Sequence, residues 1–192
     1  MDTRLTDEER AFLLRLARQS IEAATQGLPL AELDLAQLSP SLRAEGATFV
    51  TLSDARGDLR GCIGALEAYQ PLALDVREHA MAAALDDYRF QPVQAGEVAR
   101  LHIEISRLTP PQPLNYDRPE ELPARLRPGV DGVILRDGFR RATFLPQVWD
   151  KLPDAEAFLG HLCQKMGTAG DLWRRKLLSV EIYQVEEFQE EK

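Results

Sequence analysis

Histidine and cysteine are scarce in this chain, with three His and two Cys among 192 residues. Two cysteines, Cys62 and Cys163, are too few for a disulfide scaffold in a chain this long, so free thiols in a reducing cytosol are expected. No Cys-x-x-Cys pair and no His-Glu-x-x-His run occurs, so the close spacings of common metal sites are missing. No metal or cofactor is implied. There is no glycine-rich phosphate loop of either common type; Gly167-Thr168-Ala169-Gly170 is flanked wrongly for one and reads as a helix stop. Long apolar runs are absent as well, which excludes a membrane-crossing helix. The opening Met1-Asp2-Thr3-Arg4-Leu5 lacks the apolar stretch of a secretory signal. Basic residues are in deficit, 23 Lys and Arg against 31 Asp and Glu, a net charge of -8. That sign disfavours neutralising nucleic-acid phosphates or adhering to anionic membranes, and it favours solubility. A cytoplasmic protein with neither nucleic acid nor membrane as partner is expected.

What is present suffices for a sizeable core: 44% apolar and 28% charged residues, the balance of an ordinary globular chain. Thr6 followed by Glu9 forms a capping box. Phe12, Leu13, Leu16, Ala17, Ile21 and Ala24 then repeat at helical spacing, and Gly27 stops the helix. Residues 28–44 contain Pro29 and Pro40 and read as an irregular connection. Ala47–Leu52 and Leu59–Gly64 are strands joined by a turn over 54–58. Pro71 opens a helix that turns Leu72, Val76, Ala80, Ala83 and Ala84 inward. Leu101–Leu108 alternates apolar and polar residues as a half-buried strand does. The Pro-rich stretch from Thr109 to Pro128 is the best candidate for a boundary between lobes. Asp137-Gly138 predicts a hairpin between Val133–Leu135 and Phe139–Leu145. Pro146 opens helical material, Ala157–Met166 is amphipathic, and Leu178–Val185 reads as a last strand before an acidic tail, 186–192. Strands in hairpins, without βαβ alternation, predict an α+β fold with a mostly antiparallel sheet and flanking helices.

Leu59-Arg60-Gly61-Cys62-Ile63-Gly64 is the segment most like a site. Strand alternation places Leu59 and Ile63 on one face and Arg60 and Cys62 on the other. A guanidinium beside a thiol favours the thiolate, the nucleophilic form. Gly61 and Gly64 leave room for a ligand or another backbone to approach. The competing reading is that Cys62 fills space in a core and the glycines mark tight packing or a bulge.

The hexapeptide resembles the hallmark of the AMMECR domain family, which includes the AmmeMemoRadiSam system protein A group. Further similar segments follow in order: Asp87-Tyr88-Arg89-Phe90 with Pro92-Val93, then Ile103-Glu104-Ile105-Ser106 and Asp131-Gly132-Val133. Phe144-Leu145-Pro146-Gln147-Val148-Trp149 and the stretch from Phe158-Leu159 to Lys165-Met166-Gly167 complete the likeness. The resemblance spans nearly the whole chain as a single domain, 1–192. It implies an α+β fold with a larger lobe and a smaller inserted one. It also implies association with a Memo-like protein and a radical-SAM protein, and it brings no established reaction. One departure stands out. Family members often carry His in a Gly-x-His-Gly segment, whereas this chain has Gly129-Val130-Asp131-Gly132. A mechanism pairing Cys62 with a base at that position loses its base.

Among the remaining candidates, Glu104 shares a strand face with His102 and Ser106. If that strand neighbours the cysteine strand, Arg60, Cys62, His102 and Glu104 meet, and a Cys–His–carboxylate set activates a nucleophile. Otherwise they are polar residues on a solvated face. Asp87 and Arg89 either line a pocket with Cys62 or lock a loop. His79, His161 and Cys163 read as packing or surface residues, and Trp149 and Trp173 as half-buried rings or an exposed platform. Two functions follow. In the first, Cys62 is a nucleophile or covalent acceptor, with Glu104 as acid, base or orienting group and Arg60, Gly61, Gly64 and Arg89 binding a small ligand. In the second, the protein is a non-catalytic binding module and the hexapeptide is a packing or docking element.

Overall fold

The computed structural model describes residues 4–191. Two compact units divide the chain. One takes the segment up to Thr109 and the return from Glu186, and the other takes Pro110–Val185. The second unit is thus inserted into the first and begins in the Pro-rich stretch that the sequence marks as a boundary.

The first unit starts with helix α1 (Asp7–Thr25), whose capping box is formed as expected: Thr6 Oγ1 accepts from Glu9 N–H and the Glu9 carboxylate accepts from Thr6 N–H. Gly27, at φ +67°, ends it in a Schellman turn, with Leu28 N–H on Ala23 O at 2.9 Å and Gly27 N–H on Ala24 O at 3.2 Å. A connection holding the short helix α2 (Pro40–Arg43) leads to strand β1 (Glu45–Ser53). Strand β2 (Leu59–Gly64) returns antiparallel to β1, and the two-residue β3 (Gln70–Pro71) also pairs with β1. Helix α3 (Leu72–Leu85) follows, then β4 (His102–Leu108), antiparallel to β1 on its other side. Strand β9 (Val185–Gln189) completes the order β2-β1-β4-β9. Val50, Leu52, Ile103 and Ile105, all fully buried, turn one face of this sheet toward Leu13, Ile21, Val76 and Ala80 of α1 and α3. Truncating such side chains to Ala costs about 2–5 kcal/mol each, so this face holds much of the unit's stability.

The acidic tail expected after Val185 is a strand instead. Its alternation explains the difference: Phe188 packs on the core, and Glu186 and Glu190 on either side of it meet arginines. Glu186, with an 8% exposed side chain, accepts from Leu5 N–H, Arg10 and Arg107. Glu190 accepts from Arg18 and from Ile103 N–H. Arg18 also donates to the carbonyls of Val98 and Leu101. The charges that make the segment look like a solvated tail are the groups that fasten it to α1 and β4.

The second unit is a four-stranded sheet in the order β5-β8-β6-β7. Its strands are β5 (Gln112–Pro113), β6 (Gly132–Asp137), β7 (Arg140–Phe144) and β8 (Ser179–Tyr183). Short helices α4 (Leu122–Arg125) and α6 (Leu172–Arg175) flank α5 (Ala155–Lys165). The predicted hairpin forms, with Asp137 opposite Arg140, so the turn residues are Gly138 and Phe139. Gly138 has φ +60° and Phe139, like every described non-glycine residue, has negative φ, the pattern of a type II′ turn. Both tryptophans are buried, so neither is an exposed platform. Trp149 stacks on Phe158 at 3.7 Å and donates Nε1–H to Asp131 O at 2.7 Å. Cys163 lies in this core, fully buried.

Because Glu186 neutralises two guanidiniums at a buried position, Glu186→Ala is expected to cost about 3 kcal/mol. Urea midpoints at unchanged m-value check it, and a loss within about 0.5 kcal/mol would mean the tail is not anchored by this carboxylate.

Candidate functional site

Strand β2 is an edge strand, and each residue of the hexapeptide has a defined position in it. The β1–β2 register runs Leu52↔Gly61 and then Ser53↔Leu59, so Arg60 is an extra residue, a β-bulge. An extra residue inverts the alternation before it. Leu59, expected on the buried face with Ile63, therefore lies opposite Ser53 and is 43% exposed, whereas Ile63 packs on the core. Gly61 is buried against the last turn of α3. A Cβ there would lie 2.0 Å from Ala83 O, which no rotamer change relieves because the neighbour is backbone. At Gly64 a Cβ would meet Thr48 O at 2.3 Å and the Phe49 ring at 2.5 Å.

The bulge also sets where Arg60 reaches. Its Nε and Nη2 donate to Glu97 at 3.3 and 3.2 Å, and Nη1 donates to Gln91 O at 2.8 Å. Among the described residues its charge is answered by Glu97, not by the thiol. Glu97 is held below the usual carboxylate range by the Gln94 amide and by Arg60.

Cys62 is half-buried, and its Sγ accepts from the Thr51 hydroxyl at 3.3 Å. Its backbone is held on the outer edge of the strand. Cys62 N–H donates to Asp87 Oδ2 at 2.9 Å, and Arg89 Nη2 donates to Cys62 O at 3.3 Å. Arg89 also grips Asp87 through Nε at 2.9 Å and Nη2 at 2.7 Å. The pair occupies one donor and one acceptor that a further strand would use, which protects the edge from pairing. These hydrogen bonds, led by those of Arg89, hold the Asp87 carboxyl well below the usual range against the opposing effect of burial.

Glu104 and His102 do not meet Cys62. Strand β1 lies between β2 and β4, and Thr51 faces Cys62 on one side and Glu104 on the other. Two strand spacings put the backbones about 10 Å apart. His102 lies opposite Ser53, with Nε2 3.1 Å from Gln189 Oε1. Burial and the neighbouring Glu187 carboxylate push the Glu104 carboxyl up. His79 is buried on the helix-facing side of the sheet. Its Nδ1 lies 3.1 Å from Asp75 Oδ2, which accepts from Thr48 at 2.6 Å. His161 is exposed. In the inserted unit, Asp131 is fully buried and accepts from Arg127 N–H at 2.9 Å and Arg127 Nη2 at 2.6 Å, closing a loop through Gly129. The carboxylate at this position is structural.

Thr51, Glu97, Asp75, Glu186 and Glu190 have roles that sequence reasoning missed. The i,i+4 spacing of Asp75 and His79 was a readable signal. The other residues meet partners that only strand register and chain return bring near.

An inserted two-unit α+β protein with its hallmark on a clamped, bulged edge strand is the class that fold and site define. The chain belongs to the AMMECR1 family, whose match covers residues 14–188. A protein of Thermofilum pendens is 40% identical over 97% of this chain and 92% of its own length. One from Methanothermobacter thermautotrophicus is 37% identical over 97% of both chains. The crystal structure of an uncharacterised protein from Pyrococcus horikoshii superposes with a TM-score of 0.75 at 35% identity, covering 97% of this chain and 94% of that one.

Two outcomes follow from the geometry of β2. Gly61→Ala is expected to destabilise by about 3 kcal/mol, since strand or helix must move, whereas Cys62→Ala costs about 1 kcal/mol. Thermal melts of both variants check the order, and a Gly61→Ala protein as stable as Cys62→Ala would overturn it. For Asp87 the folded carboxyl ionises at lower pH than the unfolded one. Its stabilisation is therefore complete at neutral pH and is lost as pH falls below about 4. Asp87→Asn should cost about 1–2 kcal/mol near neutrality, with the gap to the unaltered protein closing in acid. A pH-independent gap in urea unfolding would contradict this.

Proposed function

We propose that this AMMECR1-family protein is a non-catalytic binding module in which the hexapeptide is a packing element that shapes the surface around it. One observation carries this reading: the Cys62 thiol bonds to a hydroxyl donor, Thr51, and none of His79, His102 and His161 bonds to it. A nucleophilic cysteine needs a base or an uncommitted cation beside it. Arg60 is taken by Glu97 and Gln91. The resemblance to AmmeMemoRadiSam proteins supplies the partners proposed here, a Memo-like protein and a radical-SAM protein.

A second reading, a thiol-centred enzyme, is favoured by the half-exposure of Cys62 and by the hydroxyl donated to its sulfur. Iodoacetamide alkylation of Cys163→Ala protein at neutral pH separates the two. A binding module reacts no faster than free cysteine. Alkylation more than about tenfold faster would overturn the module reading in favour of an activated thiol. The same reading predicts that a complex with the Memo-like protein survives Cys62→Ala, measured by co-elution of the purified chains; loss of the complex with retained fold would contradict it.

A further inference from the structure

Beyond the hexapeptide, the same unit contains a groove of about 500 Å³ at the end of β1, the start of β4 and the end of β9. Ser53, His102, Glu104 and Gln189 contribute to its lining, along with Arg56 and Arg100. Arg56 is tied to Asp54 and Asp58 in the β1–β2 turn. Arg100 is exposed and lies within the longer-range field of Glu97.

Glu104 is the unusual member. Its carboxylate is half-buried, feels Glu187 as a like charge, and receives no compensating hydrogen bond among the described residues; His102 acts in the opposite sense but ranks behind both effects. A partly buried carboxylate without a counter-ion costs stability, and an apolar or neutral side chain at that strand position would avoid the cost. What such a group gains is the capacity to take a donor from outside. His102 is engaged by Gln189, and Asp54 by the Arg56 and Asp58 amides, which leaves Glu104 as the carboxylate of the groove without a hydrogen-bond partner among the described residues. The described residues include no cluster of three His, Cys, Asp or Glu side chains able to hold a metal ion, so an ammonium group suits Glu104 better than a metal does. Arg100 is four residues earlier in the chain. It closes the 3-10 turn just before β4 and lines the same groove, so its long flexible side chain suits an anionic group several bonds from that ammonium.

We propose that this groove binds a small zwitterion, its protonated amine on Glu104 and its carboxylate or phosphate on Arg100. The site is independent of Cys62 and of any role for the hexapeptide.

Chemical-shift titration of the ¹⁵N-labelled full chain tests it, with 5-aminopentanoate as probe and pentylamine and pentanoate as one-ended controls. The expected result is a saturable shift of the Ser53, His102 and Glu104 amides with a Kd of about 1 mM or tighter. Pentylamine should bind at least about tenfold more weakly, and pentanoate not measurably. Glu104→Gln should abolish binding of the two-ended probe, and Arg100→Ala should reduce it to the level of pentylamine. Unchanged dispersion of the remaining amides confirms that each variant is folded. No saturable shift, equal binding of the two-ended and one-ended probes, or full binding by folded Glu104→Gln would each overturn the proposal. None of these results bears on Cys62 alkylation, so this site and the binding-module reading fail separately.

Discussion

Strand β2 approaches the last turn of α3 so closely that the carbonyl of Ala83 occupies the place of a side chain at residue 61. Much else in the first unit depends on that approach. It sets the depth at which β2 lies on the helix and so the position of Ile63 in the core. It also brings the segment after α3 alongside the strand, where Asp87 and Arg89 reach the Cys62 backbone and Glu97 reaches Arg60. A side chain of any size at residue 61 would push helix and strand apart and loosen all of these contacts together. The family's hallmark segment therefore has a physical account that needs no chemistry at sulfur: a bulge that aims an arginine, a glycine that admits a helix, and a backbone clamped by a carboxylate and a guanidinium.

The second constraint is the return of the chain. After the inserted unit, β9 joins the first unit's sheet beside β4, and its carboxylates take arginines from α1 and β4. Charges of one sign crowded at the end of a chain repel one another in isolation. In the fold they are separated by the strand's alternation, with Glu186 and Glu190 placed among guanidiniums. The first unit is thus assembled from both ends of the sequence, which ties the insertion's two ends to one sheet.

The outward row Cys62–Thr51–Glu104 shows how strand order governs chemistry. The three residues share a line across the sheet, but the hydroxyl in the middle touches the thiol while the carboxylate stands a strand further on. Exchanging the order of β1 and β2 would have set Cys62 beside Glu104. With β1 between them, thiol and carboxylate belong to separate environments: one is fixed by backbone clamps, and the other lies in a groove without a counter-ion among the described residues.

Local chemistry was legible in the sequence wherever neighbours along the chain decide the outcome. The capping box at Thr6, the glycine stop at Gly27, the inward face of α3, the alternation of β4 and the Pro-rich boundary after Thr109 all follow from short-range sterics, hydrogen bonding and periodicity. The hexapeptide and the segments after it were enough to point to the family, which the whole-chain comparisons show. Tertiary structure alone decided the rest. The flip of Leu59 depends on a bulge that exists only against β1, the tail becomes a strand because arginines distant in sequence wait beside β4, and Glu104 is parted from Cys62 by the strand order. The bulge lies in a short hairpin and turns on register, whereas the other two depend on partners far along the chain; residue types and spacings fix neither until the backbone has closed.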